Sequence, residues 1–185
     1  MRLFVALAPP AAALDDLDAA CAPYRPARTD LRWTGRALWH VTLAFLGEVS
    51  AENLARLQPR LERAAGRHRA PGLSLAGAGA FPGPARANVL WSGLSGDRKG
   101  LGELAMSVSA AARRAGAPPP DMGRRYRPHV TLARCRMPAD VRAVVAGLSD
   151  YQGPAWTAGE MHLVRSTPGR EPPYAAIGTW QLKTG

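Results

Sequence analysis

Cysteine and lysine are both scarce in this chain. Its two cysteines, Cys21 and Cys135, lie far apart and form no CxxC pair. That excludes a disulfide framework and a cysteine-based zinc site, and a reducing cytoplasmic setting is the expectation. The only lysines are Lys99 and Lys183, so the positive charge rests on arginine. No apolar run approaches the ~20 residues of a membrane helix. The opening Met1–Ala8 is apolar but short and stops at Pro9-Pro10, so it reads as a core strand rather than a signal peptide. Histidine is sparse as well, with four in the chain. His68, in Arg-His-Arg, and His162, in Met-His-Leu, read as ordinary surface or strand residues.

What is present is apolar and basic. Hydrophobic residues make up 46%, which argues against disorder, and 185 residues suffice for one domain with a sizeable core. The 24 basic residues exceed the 14 acidic ones, giving a net charge of +10. A basic surface concentrates polyanions, but arginine and alanine richness also follows from a biased genome. Charge alone therefore leaves nucleic-acid binding open.

Periodicity gives an α+β chain with antiparallel pairing. Strands are expected at 2–8, 39–46, 72–81, 89–92, 129–135, 160–166 and 175–182. Gly47 should end the second of these. Helices are expected at 11–21, after Ser50, over 99–115 and over 141–148. Pro59 lies inside the second helix pattern and predicts a kink or a late start. Residues 25–36 read as a polar loop and 118–123 as a loop rather than a linker. One domain spanning 1–185 is expected.

The pentapeptide His-Val-Thr-Leu-Ala occurs twice, at 40–44 and 129–133. Each copy follows a strand and then an amphipathic helix, which points to two lobes related by a pseudo-twofold axis. Similar core strands would explain the shared Val and Leu. They would not explain why a titratable imidazole and a hydroxyl recur at the same places. In a strand, residues i and i+2 share a face, so His40 aligns with Thr42 and His129 with Thr131. Facing lobes would bring two imidazoles and two hydroxyls to one cleft.

That set suits phosphoryl chemistry. One imidazole can be neutral and take a proton from water, while the other is charged and protonates a leaving alkoxide. Threonine hydroxyls can donate to non-bridging phosphate oxygens. Neither motif carries a carboxylate or a second histidine at metal-ligand spacing, so the chemistry is expected to run without a metal or other cofactor.

These residues resemble the two-histidine phosphoesterase superfamily, marked by paired His-x-Thr/Ser-x motifs. More closely, they resemble the bacterial RNA 2′,3′-cyclic phosphodiesterases, also called 2′-5′ RNA ligases. The stretches that carry the resemblance are Arg2–Leu7, His40–Glu48, Val89–Trp91, Arg127–Arg134, and Leu163–Ser166 with Tyr174. The resemblance implies two pseudo-symmetric lobes, each an antiparallel sheet with outer helices, around a central cleft. It also implies that His40 is the proton donor and His129 the acceptor. The expected reaction opens a 2′,3′-cyclic phosphate at an RNA end and leaves a 2′-phosphomonoester. Trp39 departs from the pattern, standing before the first histidine where a smaller aliphatic residue is usual.

Aligning the two copies places Phe45 opposite Arg134. Arg134 resembles the family's phosphate-contacting arginine, and its fork suits bidentate phosphate binding. Ideal alternation would turn it away from His129, so a twist or bulge is required. Arg127, two residues before His129, lies on the favourable face; substrate contact and a solvated loop arginine are both open readings. Rival functions are 2′-5′ ligation by the reverse reaction, hydrolysis of a small cyclic nucleotide, and non-catalytic RNA binding. The expected partner is RNA with cyclic-phosphate ends, tRNA fragments among the candidates, met by a cytoplasmic monomer with no membrane association.

Overall fold

The computed structural model describes residues 1–120 and 123–184. Its strands form two sheets in which every strand pairing is antiparallel. The first sheet contains β1 (Arg2–Leu7), β3 (Val41–Glu48), β8 (Glu160–Ser166) and β9 (Tyr174–Gln181), in the order β3-β1-β8-β9. The second contains β2 (Leu31–Trp33), β4 (Gly72–Phe81), β5 (Ala87–Gly96), β6 (Val130–Ala139) and β7 (Trp156–Thr157), in the order β2-β6-β5-β4-β7. The motif strands are paired alike, β3 with β1 and β6 with β5, but β3 is the edge of its sheet whereas β6 carries β2 outside it.

Among the described residues, four α-helices cover the sheets: α1 (Ala11–Cys21), α2 (Ala51–Ala65), α3 (Arg98–Arg114) and α4 (Arg142–Gly147). They cross between lobes. Helix α1 follows a strand of the first sheet yet packs with α4 on β4 of the second. Helix α3 follows a strand of the second sheet and packs on β3 of the first, beside α2. The apolar stripes explain the docking. Leu101, Leu104, Ala105, Val108, Ala111 and Ala112 are the buried residues of α3, and Leu57, Leu61, Ala64 and Ala65 those of α2. Each buried leucine contributes ~1.5–3 kcal/mol relative to exposure. One continuous core cluster joins residues of both sheets and all four helices. Among the described residues no helix is long and apolar enough to cross a membrane.

Several boundaries differ from the sequence reading. The segment 25–36 is not all loop, because Leu31–Trp33 forms the edge strand β2 against β6. Three residues carry no period, and their partner lies far along the chain. Helix α2 does not start late. Ser50 Oγ accepts from the Asn53 amide at 3.1 Å, and the helix runs through Pro59. Pro59 and Ala55, whose carbonyl loses its partner, are both exposed, so water can satisfy that carbonyl. Gly47 does not end β3. Its φ of 65° sits beside a register shift, and the ladder continues to Glu48. The strand expected at 89–92 extends over Ala87–Gly96, and the one at 129–135 begins at Val130 and runs to Ala139. Of the loop expected over 118–123, residues 121 and 122 lie outside the described residues.

Candidate active site

The repeated motifs build the site through a shared irregularity. In β6, Thr131 pairs with Trp91 and Ala133 with Leu90, so Leu132 is an extra residue in the ladder. In β3, Thr42 pairs with Ala6 and Ala44 with Val5, so Leu43 is the extra residue there. Each bulge buries two successive side chains: Leu43 and Ala44 in one strand, Leu132 and Ala133 in the other. Alternation is thereby reset. Phe45 and Arg134 turn to the face of the preceding threonines, and Arg134 reaches the cleft through the bulge that the sequence required.

His40, Thr42, His129, Thr131, Arg134 and Phe45 all line one pocket of about 220 Å³. Both histidines stand one residue before their strands and are held alike. His40 Nδ1 lies 2.8 Å from the Leu38 carbonyl, and His129 Nδ1 lies 2.7 Å from the Arg127 carbonyl. A carbonyl can only accept, so each Nδ1 carries the proton and donates. Each Nε2 makes no hydrogen bond among the described residues, and it is left to take or give a proton.

Aromatic packing fixes the rings further. Phe4 stacks on His40 with centroids 4.7 Å apart, and Tyr174 meets His40 edge-on at 5.4 Å. Phe81 meets His129 edge-on at 5.1 Å. Tyr126 Oη donates to the Thr42 carbonyl at 2.9 Å, tying the approach to the second motif onto the first motif strand. Trp39 is buried in the core, which accounts for a large residue at that position.

Electrostatics act on both imidazoles in one direction. Burial holds His40 below the ordinary histidine value; the Leu38 carbonyl opposes this, and the positive charges of His129 and Arg134 add to it. Burial likewise lowers His129, opposed by the Arg127 carbonyl and reinforced by Arg134. An anion in the pocket would cancel the Arg134 effect by neutralising its charge. Among the described residues, no group of three His, Cys, Asp or Glu is clustered to hold a metal ion.

Not every candidate joins this pocket. The Arg127 guanidinium lies 6.0 Å from the Phe81 ring centroid and lines a neighbouring groove; its carbonyl, not its side chain, serves His129. His68 bonds Ser107 at 2.7 Å, and His162 bonds Thr179 at 2.9 Å, both outside the pocket. Sequence reasoning did not select Phe4, Thr34, Ser166 or Tyr174 as site residues, yet they line it. Phe4 and Tyr174 come from β1 and β9; the sequence placed them in stretches that carry the family resemblance without giving either a role in the site.

A family model described as the 2′-5′ RNA ligase superfamily matches residues 8–170. The chain belongs to this superfamily. Among curated relatives, it is similar to the RNA 2′,3′-cyclic phosphodiesterase of Escherichia coli (strain K12), 41% identical over 97 residues, which is 51% of this chain and 50% of that protein. The protein of the same name from Aeropyrum pernix is 36% identical over 107 residues, 58% of each chain. The matched stretch thus spans about half the length of these relatives. Solved structures match along the whole chain. A Thermus thermophilus protein superposes with TM-score 0.81 at 27% identity, covering 100% of this chain and 99% of that one. Escherichia coli LigT complexed with 3′-AMP gives 0.76 at 28% identity, covering 98% and 97%.

Proposed function

We propose that this chain hydrolyses the 2′,3′-cyclic phosphate at RNA ends to a 2′-phosphomonoester, with His40 as acid and His129 as base and without a metal. The observation that carries the reading is the matched tethering of two imidazoles whose unpartnered Nε2 atoms belong to one small pocket with two hydroxyls and a guanidinium. The relatives' names supply the substrate class, and the family resemblance supplies the two roles.

Water attacks phosphorus in line with the bond to O3′. Neutral His129 Nε2 takes the water proton as the new oxygen–phosphorus bond forms. Protonated His40 Nε2 gives its proton to the departing O3′, and phosphate stays on O2′. Thr42 and Thr131 donate to the non-bridging oxygens, and Arg134 balances the phosphate charge. Burial lowers both imidazoles, which favours their neutral form. The anionic substrate restores the acid, because its negative charge favours imidazolium.

The single core cluster supports one domain over 1–185, formed by two lobes that exchange helices. The reading also takes the protein to act as a cytoplasmic monomer on RNA fragments, those of tRNA included. The test is an oligonucleotide ending in 2′,3′-cyclic phosphate, incubated in EDTA, with the product isomer identified by phosphorus NMR. A 2′-phosphate is expected. A predominant 3′-phosphate would exchange the histidine roles or reverse the ribose in the cleft. Activity lost in EDTA and restored by zinc or manganese would overturn the metal-free mechanism.

A further inference from the structure

The reaction pocket is too small for a nucleotide chain. Its ~220 Å³ lies below the ~300–1,000 Å³ typical of small-molecule sites. It can hold the cyclic phosphate and its ribose, and whatever is attached must leave it. A groove of about 940 Å³ adjoins it and shares Thr42, Phe45 and His129 with it.

This groove has a distinct chemistry. One wall is helix α3, which presents Met106, Ser109 and Arg113. The other is the approach to the second motif, which presents Arg124, Arg125 and Arg127. Four arginines line it, with no acidic side chain among the described lining residues. None of the four makes an ion pair with a described carboxylate. Met106 is 64% exposed on an otherwise amphipathic helix, leaving an apolar surface beside the charges. Guanidinium groups beside an exposed apolar side chain suit a phosphodiester chain with bases laid against it.

We propose that this groove binds the RNA strand upstream of the cyclic phosphate, with Arg113, Arg124 and Arg125 gripping its backbone, so that the chain prefers oligonucleotides to cyclic mononucleotides. This rests on the function proposed above and extends it from the reacting end to the body of the substrate. The histidine pocket performs the chemistry, and the groove sets which molecules reach it at low concentration. No arginine of the groove takes part in proton transfer.

Two measurements test it. In the first, kcat/KM is compared for 2′,3′-cyclic AMP and for a short oligonucleotide ending in the same nucleotide, over a range of salt. In the second, binding of a 3′-phosphate-ended oligonucleotide and of 3′-AMP is followed by fluorescence anisotropy competition in a His40→Ala/His129→Ala background, which needs no turnover. The oligonucleotide should bind more tightly, with a log–log salt slope of about −0.7 per neutralised phosphate. R113Q/R124Q/R125Q should flatten that slope by about 2 and weaken oligonucleotide binding at least about tenfold. Its kcat/KM for cyclic AMP should change less than about twofold. Oligonucleotide binding no tighter than 3′-AMP, or a triple variant that weakens both equally, overturns the groove. Tight, salt-sensitive binding with no turnover of either substrate keeps the groove and overturns the proposed reaction. Absence of both overturns both.

Discussion

The Thr34 amide donates to the Leu132 carbonyl at 2.8 Å. Thr34 follows β2, from the first half of the chain, and Leu132 is the extra residue in the bulge of β6. The segment between the first helix and the first motif therefore clamps the irregularity that aims Arg134 in the second.

Thr34→Pro removes this donor, whereas Thr34→Ala keeps it. The proline variant should lose ~1–3 kcal/mol of stability, the cost of a lost bond and an orphaned carbonyl. It should also lose kcat/KM beyond the alanine variant, because the Arg134 face depends on the bulge. Urea unfolding and steady-state kinetics on both variants check this. Equal behaviour would mean that the bulge holds without its clamp.

Replacing His40 or His129 with Ala should each lower kcat by roughly 10²–10⁴ without unfolding the protein. The double variant should fall far short of the product of the two losses, since the pair acts as a unit. Thr42→Ala and Thr131→Ala each delete one hydrogen bond and no proton transfer. Each should cost roughly 0.5–1.5 kcal/mol of transition-state stabilisation, or up to about tenfold in rate. Near-normal turnover in either histidine variant would remove that residue from the mechanism.

Arg134→Gln should lower kcat/KM by ~10–100-fold through the loss of a charged hydrogen bond worth ~1.5–3 kcal/mol. It should also move the pH profile. Arg134 pushes both imidazoles down, so its removal lets both rise. Both limbs of the kcat/KM profile should therefore shift to higher pH. A fall in rate with unmoved limbs would place Arg134 outside the electrostatics of the pair.

Stability should fall with acid. Both folded-state values lie below the unfolded histidine value of about 6.5. Below about pH 6.5 the unfolded chain takes up protons that the folded chain resists, so these groups destabilise the fold progressively. The effect levels off once pH passes below both folded values. His40→Asn/His129→Asn should show a shallower loss between pH 7.5 and 5 in urea unfolding. An identical loss would show that the imidazoles are not desolvated as their positions require.

The sequence by itself determined what repeats and what alternates. The doubled His-Val-Thr-Leu-Ala placed His40 with Thr42 and His129 with Thr131, because a strand's two-residue period is a local property. The stripes of α2 and α3 were legible for the same reason, and so was the need for a bulge before Arg134 could face the cleft. Only the tertiary structure decided where that bulge falls, because register belongs to a pair of strands and not to one. It alone placed Leu31–Trp33 on the edge of β6, Phe4 against His40, and α1 and α3 on each other's lobes. It alone sent Arg127 into the groove while keeping its carbonyl on His129. These are contacts between segments far apart in the chain, set by which apolar faces bury together, and no window of neighbouring residues contains both partners.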